Sequence, residues 1–128
     1  MLKDIVVIQK RELVNRLQES YVERDVANNL DFGNDLIKVI TGPRRAGKSF
    51  YAAHLIASTG SWGYVNFDDE RLVALEDYDE IIGTINAVYG NPKYLFFDEI
   101  QNLSRWELFV NRLQRQGFRL LITGSNSN

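Results

Sequence analysis

"GPRRAGKSF", residues 42–50, sets two glycines, two arginines, a lysine and a hydroxyl residue between an apolar run and an amphipathic one. Upstream stand Leu36, Ile37, Val39 and Ile40, the pattern of a buried strand, and downstream Tyr51, Leu55 and Ile56 recur at helical spacing. A strand that passes through glycines directly into a helix aims successive main-chain N–H groups and a helix N-terminus at one point, which suits an anion. The order Gly42, four residues, then Gly47, Lys48 and Ser49 matches the phosphate-binding loop, in which the lysine reaches the β- and γ-phosphates and the hydroxyl holds Mg²⁺. Gly42, Pro43, Arg44, Arg45, Ala46, Gly47, Lys48, Ser49 and Phe50 are therefore the candidate nucleotide-binding segment. Direct phosphate contact by Arg44 and Arg45 is a separate expectation, because arginines in such loops also face solvent.

The rest of the chain repeats the same alternation. Residues 9 to 30 carry Leu13, Val14, Leu17 and Tyr21 among charges of both signs and predict one amphipathic helix before the strand Leu36 to Thr41. A helix from Lys48 to Ser58 follows, closed by Gly60 and Gly63, then a short strand, Tyr64 to Phe67, that stops at Asp68 and Asp69. A short helix near Arg71 to Leu75 comes next. Asp77 with Glu80 reads as a capping box for a helix carrying Ile81, Ile82, Ile85, Val88 and Tyr89, ended by Gly90, Asn91 and Pro92. Tyr94 to Phe97 is a third strand. Ser104 with Glu107 reads as a second capping box, ahead of a helix with Trp106, Phe109, Val110 and Leu113 on its stripe, and "RLLITGSNSN" supplies the fourth strand. Continuous apolar strands alternating with amphipathic helices predict a three-layer α/β/α arrangement around a mainly parallel sheet.

A magnesium nucleotide site also needs a carboxylate at the end of a neighbouring buried strand, and "YLFFDE" puts Asp98 at that edge. Asp98 is the metal-side carboxylate expected with Ser49. Glu99, one residue beyond, is placed to polarise an attacking water.

Together these stretches resemble the AAA-type members of the P-loop ATPases, and within them the group of predicted prokaryotic ATPases with "TGPRRxGKS", "VNFDDE", "FFDEIQ" and "LLITGSN". The resemblance runs over nearly the whole chain. It implies the P-loop NTPase fold, ATP and Mg²⁺, Lys48 and Glu99 (the Walker A lysine and the catalytic base) as catalytic residues, Asp98 as the Walker B carboxylate, and a polar sensor after the fourth strand. Ser125 is taken as that sensor, with Thr123 and Asn126 as rivals. The group normally continues into a fifth core strand, a helical lid and a further module, so the resemblance implies a core truncated after the fourth strand. ATP hydrolysis would drive conformational change in the missing part, which would also carry any protein or DNA partner. The strand beside the phosphate loop would then have an uncovered edge, covered by Ile5 to Ile8 or by a second copy through self-association.

Composition narrows the alternatives. At 128 residues, 45% hydrophobic and 25% charged, the chain reads as a single domain, 1–128, with a substantial core. A formal net charge of −2 gives no general basic footprint for nucleic acid. The chain has no cysteine, no apolar run long enough for a bilayer and no signal-peptide pattern, so a cytoplasmic location and no membrane partner are the expectation. Asp68 and Asp69 read first as caps, Gln101 and Asn102 as local caps or as groups that orient Glu99, His54 as packing, and Trp106 as core. Arg105, Arg112, Arg115 and Arg119 read as a solvated face, with DNA contact or an arginine donated across an interface as the alternative. A GTPase would need an Asn-Lys-x-Asp element, which does not occur. A nucleotide-operated switch or scaffold with little hydrolysis and a P-loop small-molecule kinase are the remaining rivals. Binding by this stretch of chain is the firmer expectation, turnover belonging to the complete protein.

Overall fold

The computed structural model describes residues 1–18, 34–43 and 47–126, apart from the side chain of Asn126. In chain order its elements are α1 (Leu2–Leu17), β1 (Lys38–Pro43), α2 (Lys48–Ala57), β2 (Trp62–Asn66), α3 (Glu70–Val73), α4 (Tyr78–Tyr89), β3 (Tyr94–Asp98), a 3-10 turn (Ile100–Asn102), α5 (Trp106–Arg115) and β4 (Arg119–Asn126). The four strands form one sheet in the order β1-β4-β3-β2, every pairing parallel. The expected α/β fold with its parallel sheet is therefore present, and β4 sits between β1 and β3.

Alternate strand residues feed two cores. Val65 and Phe67, Leu95 and Phe97, and Leu120 and Ile122 pack with Ile81, Ile85, Phe109 and Leu113 of α4 and α5. Their neighbours Tyr64, Phe96 and Leu121 pack on the other face with Ala52, Ala53 and Ile56 of α2. Both faces of β2, β3 and β4 are covered, which is why those strands are continuously apolar rather than alternating; β1, expected to be buried, instead alternates between half-buried and exposed residues, with Val39 exposed. Gly63, expected to close α2, lies inside β2 instead, where a Cβ would come within 2.7 Å of Ile85 Cγ2 of α4 and force the packing apart. Asp77 caps α4 as its sequence suggests, accepting from the amides of Asp79 and Glu80.

Three further expectations change. The N-terminal helix starts at Leu2 rather than near residue 9 and ends at Leu17, and the remainder of the expected 9–30 span lies outside the described residues. Ile5 to Ile8 are part of that helix and do not cover the edge of β1. Ile5 and Val6 are buried while Val7 and Ile8 are exposed, the signature of a helical face, and α1 packs against β2 at the opposite side of the sheet. Ser104 does not cap α5; Arg105 occupies that position with a left-handed backbone (φ 58°), and the Ser104 carbonyl instead accepts from the Tyr78 hydroxyl.

α1 wraps around the edge of β2. Its first half puts Leu2, Ile5 and Val6 into the core under α4 and α5, and Leu13 joins the core under α2. Midway, the Gln9 side chain treats β2 as a neighbouring strand would: Nε2 donates to the Asn66 carbonyl at 3.0 Å and Oε1 accepts from the Asn66 amide at 3.0 Å. The outward-facing backbone groups of Asn66 are thereby satisfied without another strand.

Candidate functional site

The phosphate-loop residues follow directly from the C-terminal end of β1. Register pairs Gly42 with Ser125 and Pro43 with Asn126, so the loop leaves the sheet beside the end of β4. Gly47 then caps α2 with φ 81°, a left-handed conformation that a side chain would strain. The first turn of α2 carries no acidic residue, leaving its N-terminal amides and the positive end of its dipole for an outside anion. Arg44, Arg45 and Ala46 lie outside the described residues.

The acids come from β3. Asp98 ends the strand, and Glu99 turns the chain with φ 54° into the 3-10 segment. Because β4 lies between β1 and β3, the loop and both acids meet at one rim. Ser49 Oγ donates to Asp98 Oδ1 at 2.9 Å, and Lys48 Nζ donates to Glu99 Oε1 at 3.1 Å. Ser125 from β4 accepts from Lys48 at 2.6 Å and lies 2.6 and 2.7 Å from the two Glu99 carboxylate oxygens, to which its hydroxyl donates. Lys48, Ser49, Asp98, Glu99, Ser125 and Phe50 line one cavity of about 480 Å³.

The electrostatics of the site favour the charged form of Glu99. Burial alone would raise the Glu99 carboxyl, but hydrogen bonds from Ser125 and Lys48, the ammonium charge and Gln101 outweigh it and hold Glu99 below the ordinary carboxylate value. Burial first, and then the adjacent Asp98 carboxylate, push the Tyr64 hydroxyl well above its usual value, with the Arg16 guanidinium pulling against them. Tyr64 thus remains a donor, reaching Asp98 Oδ2 at 3.1 Å.

Tyr64 and Thr123 are the supports that local sequence does not announce. Thr123, fully buried, donates to Asp98 Oδ1 and accepts from the Glu99 amide at 2.9 Å, so one hydroxyl sets both acids. Of the two hydroxyls on β4, Thr123 braces the acids, whereas Ser125 touches both Lys48 and Glu99. Tyr64 sits in the middle of β2, just ahead of the "VNFDDE" stretch, and its signal would have been a polar-tipped aromatic three strands from β1 and its loop. Gln101 does approach Glu99, at 3.4 Å, while Asn102 binds the Phe67 carbonyl at 3.2 Å and braces the β2 end.

The remaining readings separate cleanly. Asp69 caps α3, accepting from the Arg71 amide at 3.0 Å and from its guanidinium. Asp68 lies at the mouth of the cavity, so of the two strand-ending acids it is the one near the phosphate loop. His54 meets the Phe50 ring edge-on at 4.8 Å, and Trp106 packs against the α4–α5 core. Arg112 is engaged with Asp79 at 2.6 Å, and Arg105 caps a helix with its backbone.

The donor set fits Mg²⁺. A hydroxyl and a carboxylate are hard oxygen ligands, and this ion is held by one or two such groups together with substrate phosphates rather than by a protein cage. Among the described residues no group of three or more His, Asp or Glu side chains could hold a metal ion. No helix among them is long and apolar enough to cross a membrane.

A family model described as an AAA domain matches residues 34–128. An uncharacterized protein of Methanocaldococcus jannaschii is 36% identical over 131 residues, covering 99% of this chain and 29% of its own. An uncharacterized protein of Haemophilus influenzae is 36% identical over 107 residues, covering 73% of this chain and 26% of its own. The chain thus spans less than a third of the length of these relatives. With its phosphate loop, parallel sheet and paired acids at one rim, the chain belongs to the AAA domain family, the AAA-type P-loop ATPases.

Proposed function

We propose that this chain binds ATP with Mg²⁺ at the rim formed by the ends of β1, β3 and β4, and that the complete protein hydrolyses it. One relation carries the reading: two successive residues at the start of α2, Lys48 and Ser49, each hydrogen-bond one of two successive acids at the end of β3, Glu99 and Asp98. A structural ion pair would not require the neighbouring hydroxyl to repeat the match, nor a glycine-capped helix start with no acid in its first turn.

In this reading the main-chain N–H groups of residues 44–49 and the Lys48 side chain hold the triphosphate, and Ser49 with Asp98 would hold Mg²⁺, which when bound offsets charge on the phosphate oxygens. Lys48 exchanges its contact with Glu99 for phosphate oxygens. Glu99, still hydrogen-bonded by Ser125 and Gln101, then accepts a proton from the water that attacks the γ-phosphorus as the bond to the β,γ-bridging oxygen breaks. Its depressed pKa keeps it unprotonated at neutral pH. Ser125, touching both Lys48 and Glu99, is placed to report whether the γ-phosphate is present. In the longer protein this cycle would move the segments beyond the core, and the outer strand β1 is the edge through which the core would meet them or a second copy. The lack of cysteine suits a reducing cytoplasm.

Equilibrium binding and turnover test the reading. Lys48→Ala is expected to abolish ATP binding, and Glu99→Gln to keep binding while removing hydrolysis in the full-length protein. Undiminished ATP binding by Lys48→Ala would refute it.

A further inference from the structure

The nucleotide site has a cationic visitor from outside the family's matched region. Arg16 lies in the last turn of α1, ahead of residues 34–128, yet it lines the same cavity as Lys48, Ser49, Asp98, Glu99 and Ser125. The placement follows from helical spacing. Gln9, Leu13 and Arg16 fall on one face at intervals of four and three residues. Gln9 is clamped to the backbone of Asn66, Leu13 is buried in the core under α2, and the next residue of that face overhangs the C-terminal rim of the sheet. The Arg16 charge is felt at the Tyr64 hydroxyl, which itself holds Asp98.

Charge bookkeeping gives that position a purpose. Of the described residues that line the cavity, Lys48 and Arg16 are the cations, against Asp68, Asp98 and Glu99. Lys48 is engaged by Glu99 and Ser125. The Arg16 guanidinium makes no hydrogen bond or ion pair with the described residues, and the residue is exposed at the mouth. Across the sheet order, the phosphate loop follows β1 and Arg16 borders β2, so β3 with its acids lies between them. A triphosphate cradled by the loop would extend its terminal phosphate toward the acids and so toward Arg16. A guanidinium there presents a planar pair of donors that matches a phosphate bidentately.

We propose that Arg16 is an arginine supplied in cis by the N-terminal helix to the terminal phosphate of the bound nucleoside triphosphate. The assignment rests on the nucleotide-binding reading above and deepens it: the site distinguishes triphosphate from diphosphate through a residue of α1. It also makes α1 part of the site, so the clamp between Gln9 and Asn66 acts as a positioning device for Arg16.

The test is equilibrium binding of a non-hydrolysable ATP analogue and of ADP, each with Mg²⁺, to the full chain and its variants. Arg16→Ala is expected to weaken the analogue about tenfold while changing ADP by no more than about twofold, and Arg16→Lys to recover only part of the loss because it lacks the fork. Thermal unfolding of Arg16→Ala is expected to match the parent, since the side chain is exposed; Arg16→Gln gives the same comparison with the aliphatic stem kept. An unchanged ratio of analogue to ADP affinity in Arg16→Ala and Arg16→Gln would overturn this proposal while leaving the nucleotide site intact. A parent chain that binds neither nucleotide would overturn both, which Lys48→Ala, expected to lose both ligands, separates from the first case.

Discussion

Lys48 and Glu99 stand 51 residues apart in the chain and hold each other at 3.1 Å, with side-chain exposures of 9% and 8%. An ion pair this well shielded is costly to break from one side, because the surviving charge is left without a partner. Lys48→Met should lower stability by about 1–3 kcal/mol in the absence of nucleotide. Combining it with Glu99→Gln should cost less than the sum of the single changes, read by urea unfolding as a double-mutant cycle. Strict additivity would show that the two groups are not coupled.

Acid should weaken the protein partly through Glu99. Its carboxyl lies below the ordinary value of 4.5 in the folded chain, so the unfolded chain binds its proton first as pH falls. The stabilisation is complete above that ordinary value and is lost as the pH drops through the lower folded one. Unfolding free energies of the parent and of Glu99→Gln, followed downward from neutral pH, should therefore converge in the acid range. A gap that widened on acidification would mean that Glu99 is raised instead.

Thr123→Val should disturb both acids at once. The replacement removes the hydroxyl that donates to Asp98 and leaves the buried Glu99 amide without its acceptor. We expect a loss of about 1–3 kcal/mol in thermal or urea unfolding, with weaker nucleotide binding, and near-parental behaviour for Thr123→Ser. If valine and serine behave alike, the brace is unimportant.

Gln9→Leu keeps the size and helix preference of the side chain but leaves the Asn66 amide and carbonyl facing an apolar group. The expected cost is about 1–2 kcal/mol. Hydrogen exchange offers the sharper reading, since the Asn66 amide should exchange faster in the variant while amides in the interior strands β3 and β4 keep their order of protection.

Much of this architecture is local and therefore legible. The glycine spacing of residues 42–47, the apolar strands ending in Asp98 and the capping aspartate at position 77 each state a backbone preference that neighbours in the chain suffice to impose. So the alternation of strands and helices, and the chemical types gathered at Lys48, Ser49, Asp98, Glu99 and Ser125, are present in the sequence by itself. What the tertiary structure decided is which of them meet. Only the order β1-β4-β3-β2 brings Ser125 between the loop and the acids and sets Thr123 under both carboxyl-bearing residues. The same holds at the N-terminus. Ile5, Val6, Val7 and Ile8 are a β-branched and apolar run with strand character, yet they form a helix because α1 gains more by burying Ile5 and Val6 in one core and Leu13 in the other as it rounds the edge of β2. Burial across that edge is a contact between distant segments, and no pattern within either segment encodes it.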